Sequence, residues 1–314
     1  MHSPAAAGAC YSSAPVASLP LIQIGPPRDR PFPDLGWAER LERLRALLRD
    51  LDRVVVAYSG GVDSSLVLRA ACEVLGDRAL GVIGRSDSYA RRELELALAQ
   101  AASFGAAIEI VSTGELSDPN FRSNPVDRCY HCKSELYREL AEVAMRFGAR
   151  AVLDGTIVED LGDWRPGRRA AEERAVQSPL ADLGFTKADV RAAAAHYGLE
   201  SRDKPASPCL ASRIPYGTEI TREALGQVEA AEELLRSLGF VELRVRHVGD
   251  MARIEVPLAD LARLVEADVR EPLVEGLKAL GYSRVALDLE GFRSGSLNLG
   301  VAGVPKGRLG RFLK

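Results

Sequence analysis

Four short apolar runs punctuate the first half of the chain. Val54-Val55-Val56-Ala57-Tyr58, Ala79-Leu80-Gly81-Val82-Ile83, Ala107-Ile108-Glu109-Ile110-Val111 and Arg150-Ala151-Val152-Leu153-Asp154 each have strand length and β-branched character. Helical spacing fills the gaps: a stretch after residue 61, an Ala/Leu/Glu-rich one around 88–103 and another near 133–147. Strands alternating with helices predict βαβ units and a parallel sheet covered on both faces, with ligands at the carboxyl ends of the strands. The character changes after Pro215-Tyr216-Gly217. A helix from about Thr221, its N-cap, to Leu238 precedes two period-two stretches, Val241–Arg246 and Ala252–Val256, that flank a turn at Gly249-Asp250. Two more helical stretches and Arg284–Leu289 complete a smaller α+β unit. The expected fold is therefore an α/β domain over 34–217 followed by an α+β domain over 218–314.

Composition narrows the class. With 314 residues, 46% of them hydrophobic and 27% charged, the chain suits a globular protein of two domains. A net charge of −3 offers no basic excess for gripping a long nucleic acid, despite a basic tail at Lys306, Arg308, Arg311 and Lys314. Residues 1–33 hold seven of the 17 prolines and show no sustained period, which predicts a disordered or loosely docked extension. They lack a cationic start and a long apolar core, so a signal peptide is not expected, and no window approaches a membrane span. A cytoplasmic location follows as the default. Five cysteines then argue against a disulfide framework. Cys10 lies in the extension, and Cys72 reads as a buried inert thiol on the helix after residue 61.

The first candidate chemistry is Ser59-Gly60-Gly61-Val62-Asp63-Ser64-Ser65, directly after the first strand. Its glycines let the backbone approach an anion, and loop amides at a helix N-terminus supply fixed positive charge. Asp63 is out of place beside a polyanion unless a divalent cation lies between them, which points to Mg²⁺. The motif is neither G-x-x-x-x-G-K-[ST] nor G-x-G-x-x-G. It resembles the PP-loop of the ATP pyrophosphatases, which implies an adenine nucleotide α-hydrolase-like fold and cleavage of ATP between the α- and β-phosphates. Ser86, after the second strand, is a candidate AMP contact by the same analogy.

The second is a set of three cysteines. Cys129-Tyr130-His131-Cys132 reads as a C-x-x-C on a loop entering a helix, and Cys209 lies far along the chain. Three thiolates on a [4Fe–4S] cluster leave one iron free for an extra sulfide. Zinc held with His131 or water, or no metal at all, are the plainer alternatives. Beside a PP-loop, the thiols suggest attack of a soft nucleophile on an adenylated oxygen.

Asn124-Pro125-Val126-Asp127-Arg128-Cys129-Tyr130-His131-Cys132-Lys133, Lys204–Gly217 around Cys209, and Gly291-Phe292-Arg293-Ser294-Gly295-Ser296 resemble LarE, the ATP-dependent sulfur transferases of nickel-pincer cofactor assembly. The likeness runs from about Leu35 to Leu299. It implies a substrate, pyridinium-3,5-biscarboxylic acid mononucleotide, whose carboxylates are adenylated with MgATP and become thiocarboxylates. One-cysteine members sacrifice the sulfur at the position of Cys209. The additional Cys129 and Cys132 make this chain similar to the branch in which a [4Fe–4S] cluster carries sulfide, reloaded by sulfide or another sulfur donor. A homo-oligomer, often a hexamer, is also implied. Ile157 stands where relatives usually carry asparagine.

The remaining candidates are charged. Arg244 and Arg246 share a strand face, where paired guanidiniums suit a phosphate or carboxylate. Cross-strand pairing with Glu255 on a solvated face is the alternative, and the family likeness favours substrate phosphate with Glu255 orienting. Lys204 and Arg213 flank Cys209 and could steer phosphate or keep the thiol ionised. Asp160, Asp163, Arg165 and Arg168 form a charged loop near the ligand edge, while His196 and His247 read as structural. A PP-loop tRNA thiolase, a nucleotide-binding protein with structural zinc and, less so, a preQ₀-type synthase remain competing functions.

Overall fold

The structure, a computed structural model, describes residues 34–162, 165–205, 207–293 and 297. The expected extension 1–33 with Cys10, Asp163, the Ser294-Gly295-Ser296 end of the third motif and the basic C-terminal tail lie outside the described residues.

Three adjacent valines of the first strand set the layering. Alternate side chains of a strand point to opposite faces, and Val54 and Val56 enter one core while Val55 enters another. The chain begins with α1 (Trp37–Leu51), β1 (Val54–Ala57), α2 (Val62–Leu75), β2 (Ala79–Arg85), α3 (Arg91–Ser103) and β3 (Ala107–Ser112). A short α4 (Pro119–Arg122) leads to the long α5 (Arg128–Phe147) and β4 (Ala151–Leu153). The four strands are all parallel in the order β3-β2-β1-β4. Leucines 41, 44, 48 and 51 of α1 and the apolar side of α2 cover one face, and Tyr137, Leu140, Val143 and Ala144 of α5 cover the other.

After β4 come four helices: α6 (Val158–Leu161), α7 (Gly167–Glu173), α8 (Pro179–Asp182) and α9 (Lys187–His196). The second region comprises α10 (Arg222–Ser237), β5 (Arg244–Val248), β6 (Met251–Glu255), α11 (Leu261–Leu264), α12 (Ala267–Ala279) and β7 (Arg284–Leu287). Its three strands are ordered β5-β6-β7, antiparallel then parallel. The period-two stretch read from Val241 begins as a strand only at Arg244, because Gly239 turns the chain at φ +86° and Val241 is 84% exposed.

Helix α10 belongs to both regions. Ala224, Leu225 and Val228 near its start pack with Phe121, Leu210, Ile214 and Ile220, whereas Ala231 and Leu235 near its end pack with Val245 and Ile254 of the second sheet. Among the described residues, no helix is long and apolar enough to cross a membrane.

Candidate active site

The strand order places the topological switch between β1 and β4, so a crevice opens at their carboxyl ends. Ser59–Ser65 leaves β1 there. Gly60 has φ +69°, and a Cβ on it would lie 2.6 Å from that of Ala97. Ser59 Oγ and Ser64 Oγ are 3.1 Å apart, and the Ser64 hydroxyl donates to the Gly61 carbonyl at 3.1 Å. Gly61 is the N-cap of α2 and offers no side-chain cap, so the first-turn amides around Val62, Asp63 and Ser64 keep the donor character that suits phosphate. Ser65 is fully buried beneath the loop. From β4, Gly155 abuts the same turn: a Cβ there would be 2.5 Å from Ser64 N, so any side chain would push the two loops apart. Asp154, 7% exposed, holds this loop by accepting from Thr156 N at 3.0 Å and Thr156 Oγ1 at 2.8 Å.

Asp63 is not free. Lys187 Nζ, from the first turn of α9, donates to both its carboxylate oxygens at 2.7 and 2.8 Å. Arg165 pairs with Asp160 at 2.8 Å. Burial raises the Asp160 carboxyl above the ordinary range, and nearby Asp63 adds to the rise against the pull of Arg165. Two carboxylates crowded at an anion-binding loop are chemically suited to a divalent cation. Arg168 instead donates to the Leu161 carbonyl at 3.0 Å.

The three cysteines are brought together by one asparagine. Asn124, fully buried at φ +54°, donates through Nδ2 to the carbonyls of Pro215 (2.7 Å), Thr218 (3.0 Å) and Ile214 (3.3 Å). Its Oδ1 accepts from Arg128 at 2.7 Å, and that guanidinium stacks on Tyr216. The segment carrying Cys129 and Cys132 is thereby clamped to the one carrying Cys209. The Leu210 amide also donates to the Ser88 carbonyl at 2.8 Å, tying Cys209 to the end of β2. Contrary to the sequence expectation, Cys129 and Cys132 lie within the first two turns of α5 and not on a loop, because the helix already starts at Arg128.

Burial is the main cause raising the thiols of Cys129 and Cys132, and for both Cys209 adds a further rise. Cys129 reaches solvent, yet the surrounding protein still desolvates its sulfur. Cys132 and Cys209 pack against the apolar cluster of Phe121, Leu210 and Ile214. No three His, Cys, Asp or Glu side chains among the described residues converge on a single-ion site. The donors here are three interacting thiols with an apolar shell. His131 turns away to Asp118, 3.5 Å off. Cys72 packs against the main core, and burial pushes its thiol up to about 11.

Three residues that sequence reasoning passed over link these parts. Glu115, 1% exposed, accepts from Ser88 Oγ and Thr113 Oγ1, both at 2.8 Å, and Ser88 Oγ is 3.0 Å from Ser86 Oγ. Glu115 also pushes up the Cys132 thiol. Lys133 is lowered by burial but held above the ordinary lysine range by Tyr137, Cys132, Asp154 and Cys129, so one ammonium senses both the thiols and the β4 loop. Lys187 is the third. Lys133 was legible only as the neighbour of Cys132; nothing marked Glu115 or Lys187.

The guanidiniums divide. Arg213, 3% exposed, is turned inward: it donates to both Glu232 carboxylate oxygens (2.7 and 3.1 Å), to the Pro208 and Cys209 carbonyls (2.6 and 3.3 Å) and to Ser212 Oγ. It clasps the turn that carries Cys209. Lys204 pairs with Glu93 at 2.7 Å. The strand face is buried, not solvated as the cross-strand alternative had it, with Arg244, Arg246 and Glu255 at 5%, 3% and 1% exposure. Arg246 donates to both Glu255 oxygens at 2.9 and 2.8 Å and to the Ser212 carbonyl at 2.7 Å. Arg244 has no carboxylate partner among the described residues. It donates to the Arg293 carbonyl at 3.4 Å, stacks on Phe292 and lines a cavity of about 290 Å³ whose wall carries Lys204, Arg213 and Arg236 but also Glu93 and Glu242. Burial, then Arg246 and Arg213, lower its guanidinium to about 10. Glu255 and Glu232 pull the other way without bonding to it, and a buried cation with no carboxylate bonded to it, beside a cavity, is suited to an anion. His247 meets the Tyr282 hydroxyl at 3.3 Å and His196 packs on Trp37, both as parts of the fold.

No protein-family profile matches the chain. It is similar to an uncharacterized protein of Synechocystis sp., 47% identical over 259 residues that cover 82% of this chain and 97% of that protein. It is 42% identical over 262 residues to the pyridinium-3,5-bisthiocarboxylic acid mononucleotide synthase of Lactiplantibacillus plantarum, covering 83% and 94%. The tRNA-specific 2-thiouridylase MnmA of Xanthobacter autotrophicus is 32% identical over 198 residues, 49% of each chain. The parallel sheet, the PP-loop at its switch point and identity across nearly all of the Lactiplantibacillus synthase lead to one assignment: the chain belongs to the LarE family of PP-loop enzymes.

Proposed function

We propose that the chain is an ATP-dependent sulfur transferase acting on pyridinium-3,5-biscarboxylic acid mononucleotide. A substrate carboxylate attacks the α-phosphorus of MgATP, forming an acyl-adenylate and releasing pyrophosphate. Hydrosulfide sulfur then adds to the activated carbonyl, AMP leaves with the bonding pair, and a thiocarboxylate and a proton result. The observation that carries the reading is the Asn124 clamp, which ties the segment carrying Cys129 and Cys132 to the one carrying Cys209 in a chain that also holds a PP-loop.

Each residue has a proposed part. The amides and hydroxyls of Ser59, Gly60, Gly61, Val62, Ser64 and Ser65 bind the departing pyrophosphate, and Asp63 serves Mg²⁺. Ser86 reaches towards AMP. Arg244 takes the substrate phosphate, with Arg246 and Glu255 fixing the wall behind it. Cys129, Cys132 and Cys209 would hold a [4Fe–4S] cluster, whose uniquely ligated iron supplies a site for transferable sulfide. Arg213 keeps the Cys209 turn in place, and Lys204 borders the Arg244 cavity. A homo-oligomer and reloading by sulfide or another sulfur donor remain part of the proposal.

The test is to purify the chain without oxygen, assay iron and acid-labile sulfide, and offer MgATP with the dicarboxylate. Iron and sulfide that are lost in the Cys129→Ser, Cys132→Ser and Cys209→Ser variants are expected, with AMP, pyrophosphate and thiocarboxylate formed in step over several turnovers. A single turnover leaving dehydroalanine at 209 moves the sulfur source to Cys209. Zinc, with thiolation of tRNA instead, overturns the reading.

A further inference from the structure

We infer that Lys187 is a ligand of the nucleotide's departing phosphates, released from Asp63 when a divalent cation arrives. The inference deepens the proposed nucleotide reading and rests on it. The Asp63 carboxylate faces two claims. Both of its oxygens are occupied by one ammonium, at 2.7 and 2.8 Å. Mg²⁺ binds oxygens at about 2.0–2.1 Å in a near-octahedral shell, and its charge on either oxygen would repel an ammonium held this close to both. When the cation takes Asp63, Lys187 loses its partner at the mouth of the PP-loop, beside the uncapped amides of α2. Phosphate oxygens are then the acceptors within its reach.

The backbone at Lys187 is prepared for such a swing. Thr186 and Asp189 form a capping box, with Thr186 Oγ1 donating to Asp189 Oδ2 at 2.6 Å, and the Lys187 amide donates to Glu159 at 2.8 Å. The main chain is therefore pinned while four side-chain torsions remain free. With side-chain exposures of 39% and 27%, the bridge is open to ligand, and an ion pair this exposed contributes little to stability. Its acidic neighbours are Asp160, which Arg165 neutralises, and Glu159, which already accepts from the Lys187 amide. An ammonium at this point would neutralise charge gathering on pyrophosphate as the α–β bond breaks.

Calorimetric binding of MgATP, magnesium pyrophosphate and AMP to the full chain, Lys187→Met and Lys187→Arg tests the inference, with thermal unfolding as control. Lys187→Met is expected to weaken ATP and pyrophosphate about 10- to 100-fold, the size of one charge-assisted hydrogen bond. AMP binding and ligand-free unfolding should be unchanged, Lys187→Arg should recover part of the loss, and half-saturation by Mg²⁺ alone should fall. Equal binding of ATP by Lys187→Met and the unaltered chain overturns the inference, as does an equal loss of ATP and AMP. Failure of the unaltered chain to bind ATP overturns the nucleotide reading itself and the inference with it.

Discussion

Arg244 and Arg246 are two residues apart on β5 and both buried, yet their removal is expected to have opposite effects. Arg246 holds both Glu255 oxygens, so Arg246→Met leaves a carboxylate that is 1% exposed with only the half-exposed Arg253, 3.3 Å away, and should destabilise the fold by about 3 kcal/mol. Arg244 has its guanidinium lowered to about 10, because desolvation with Arg246 and Arg213 outweighs the pull of Glu255 and Glu232, so at neutral pH folding carries part of the cost of a desolvated charge. In the linkage sense, the folded chain binds fewer protons than the unfolded one between that value and the ordinary arginine range. Stability from this group therefore rises with pH there. Arg244→Met should leave the ligand-free melting temperature unchanged or raised, while substrate affinity falls by about 10- to 100-fold. Thermal unfolding and binding measured on both variants check this; a large destabilisation by Arg244→Met would refute the unpaired-cation assignment. The sequence marked both arginines and their strand, but which one is satisfied depends on cross-strand register and the Phe292 stack, which period two does not encode.

At the scale of the element, the start of α5 sets two effects on cysteine against each other. A helix N-terminus lowers a thiol's proton affinity, whereas burial raises it. Here burial prevails, with Cys209 reinforcing it for both thiols and Glu115 for Cys132. Without metal, both thiols are therefore neutral at pH 7, and loading a metal cluster must release protons. Alkylation of Cys132 in metal-free protein is expected to keep accelerating beyond about pH 9, past the ordinary thiol value near 8.5. A plateau by pH 7 would contradict the burial argument; the rate is followed by mass spectrometry across pH. The four parallel strands and the PP-loop were legible because apolar runs and glycines are local signals. The short helices α6 to α8 were not, since four- to seven-residue helices are fixed by tertiary packing rather than periodicity. Gly155 and Lys187 escaped for a related reason: each matters only through a partner about 90 or 124 residues away.

For the whole molecule, the sequence placed a boundary near residue 217, where turn residues precede a capped helix. We propose that the two regions nevertheless unfold as one unit, with α10 as the shared element. A cut at 217 would remove Ala224, Leu225 and Val228 from the cluster that buries Phe121, Leu210, Ile214 and Ile220. It would also separate Arg213 from Glu232, a pair at 4% and 2% side-chain exposure, leaving a buried guanidinium beneath the Cys209 turn. The losses fall on the segment that orders the three thiols, so the N-terminal piece should lose stability and the cysteine geometry together. Exposed contacts across the same junction, Arg222 with Asp87 and the Arg91 amide with Glu229, add little of their own. The expected result is a single denaturant transition, with tryptophan fluorescence, which reports Trp37 on α1 together with Trp164, coinciding with far-ultraviolet circular dichroism, which averages both sheets. Residues 34–217 made alone should fail to show it. Two separated transitions, or a folded 34–217 fragment that retains iron and sulfide, would restore the boundary at 217 and make α10 a linker between autonomous domains.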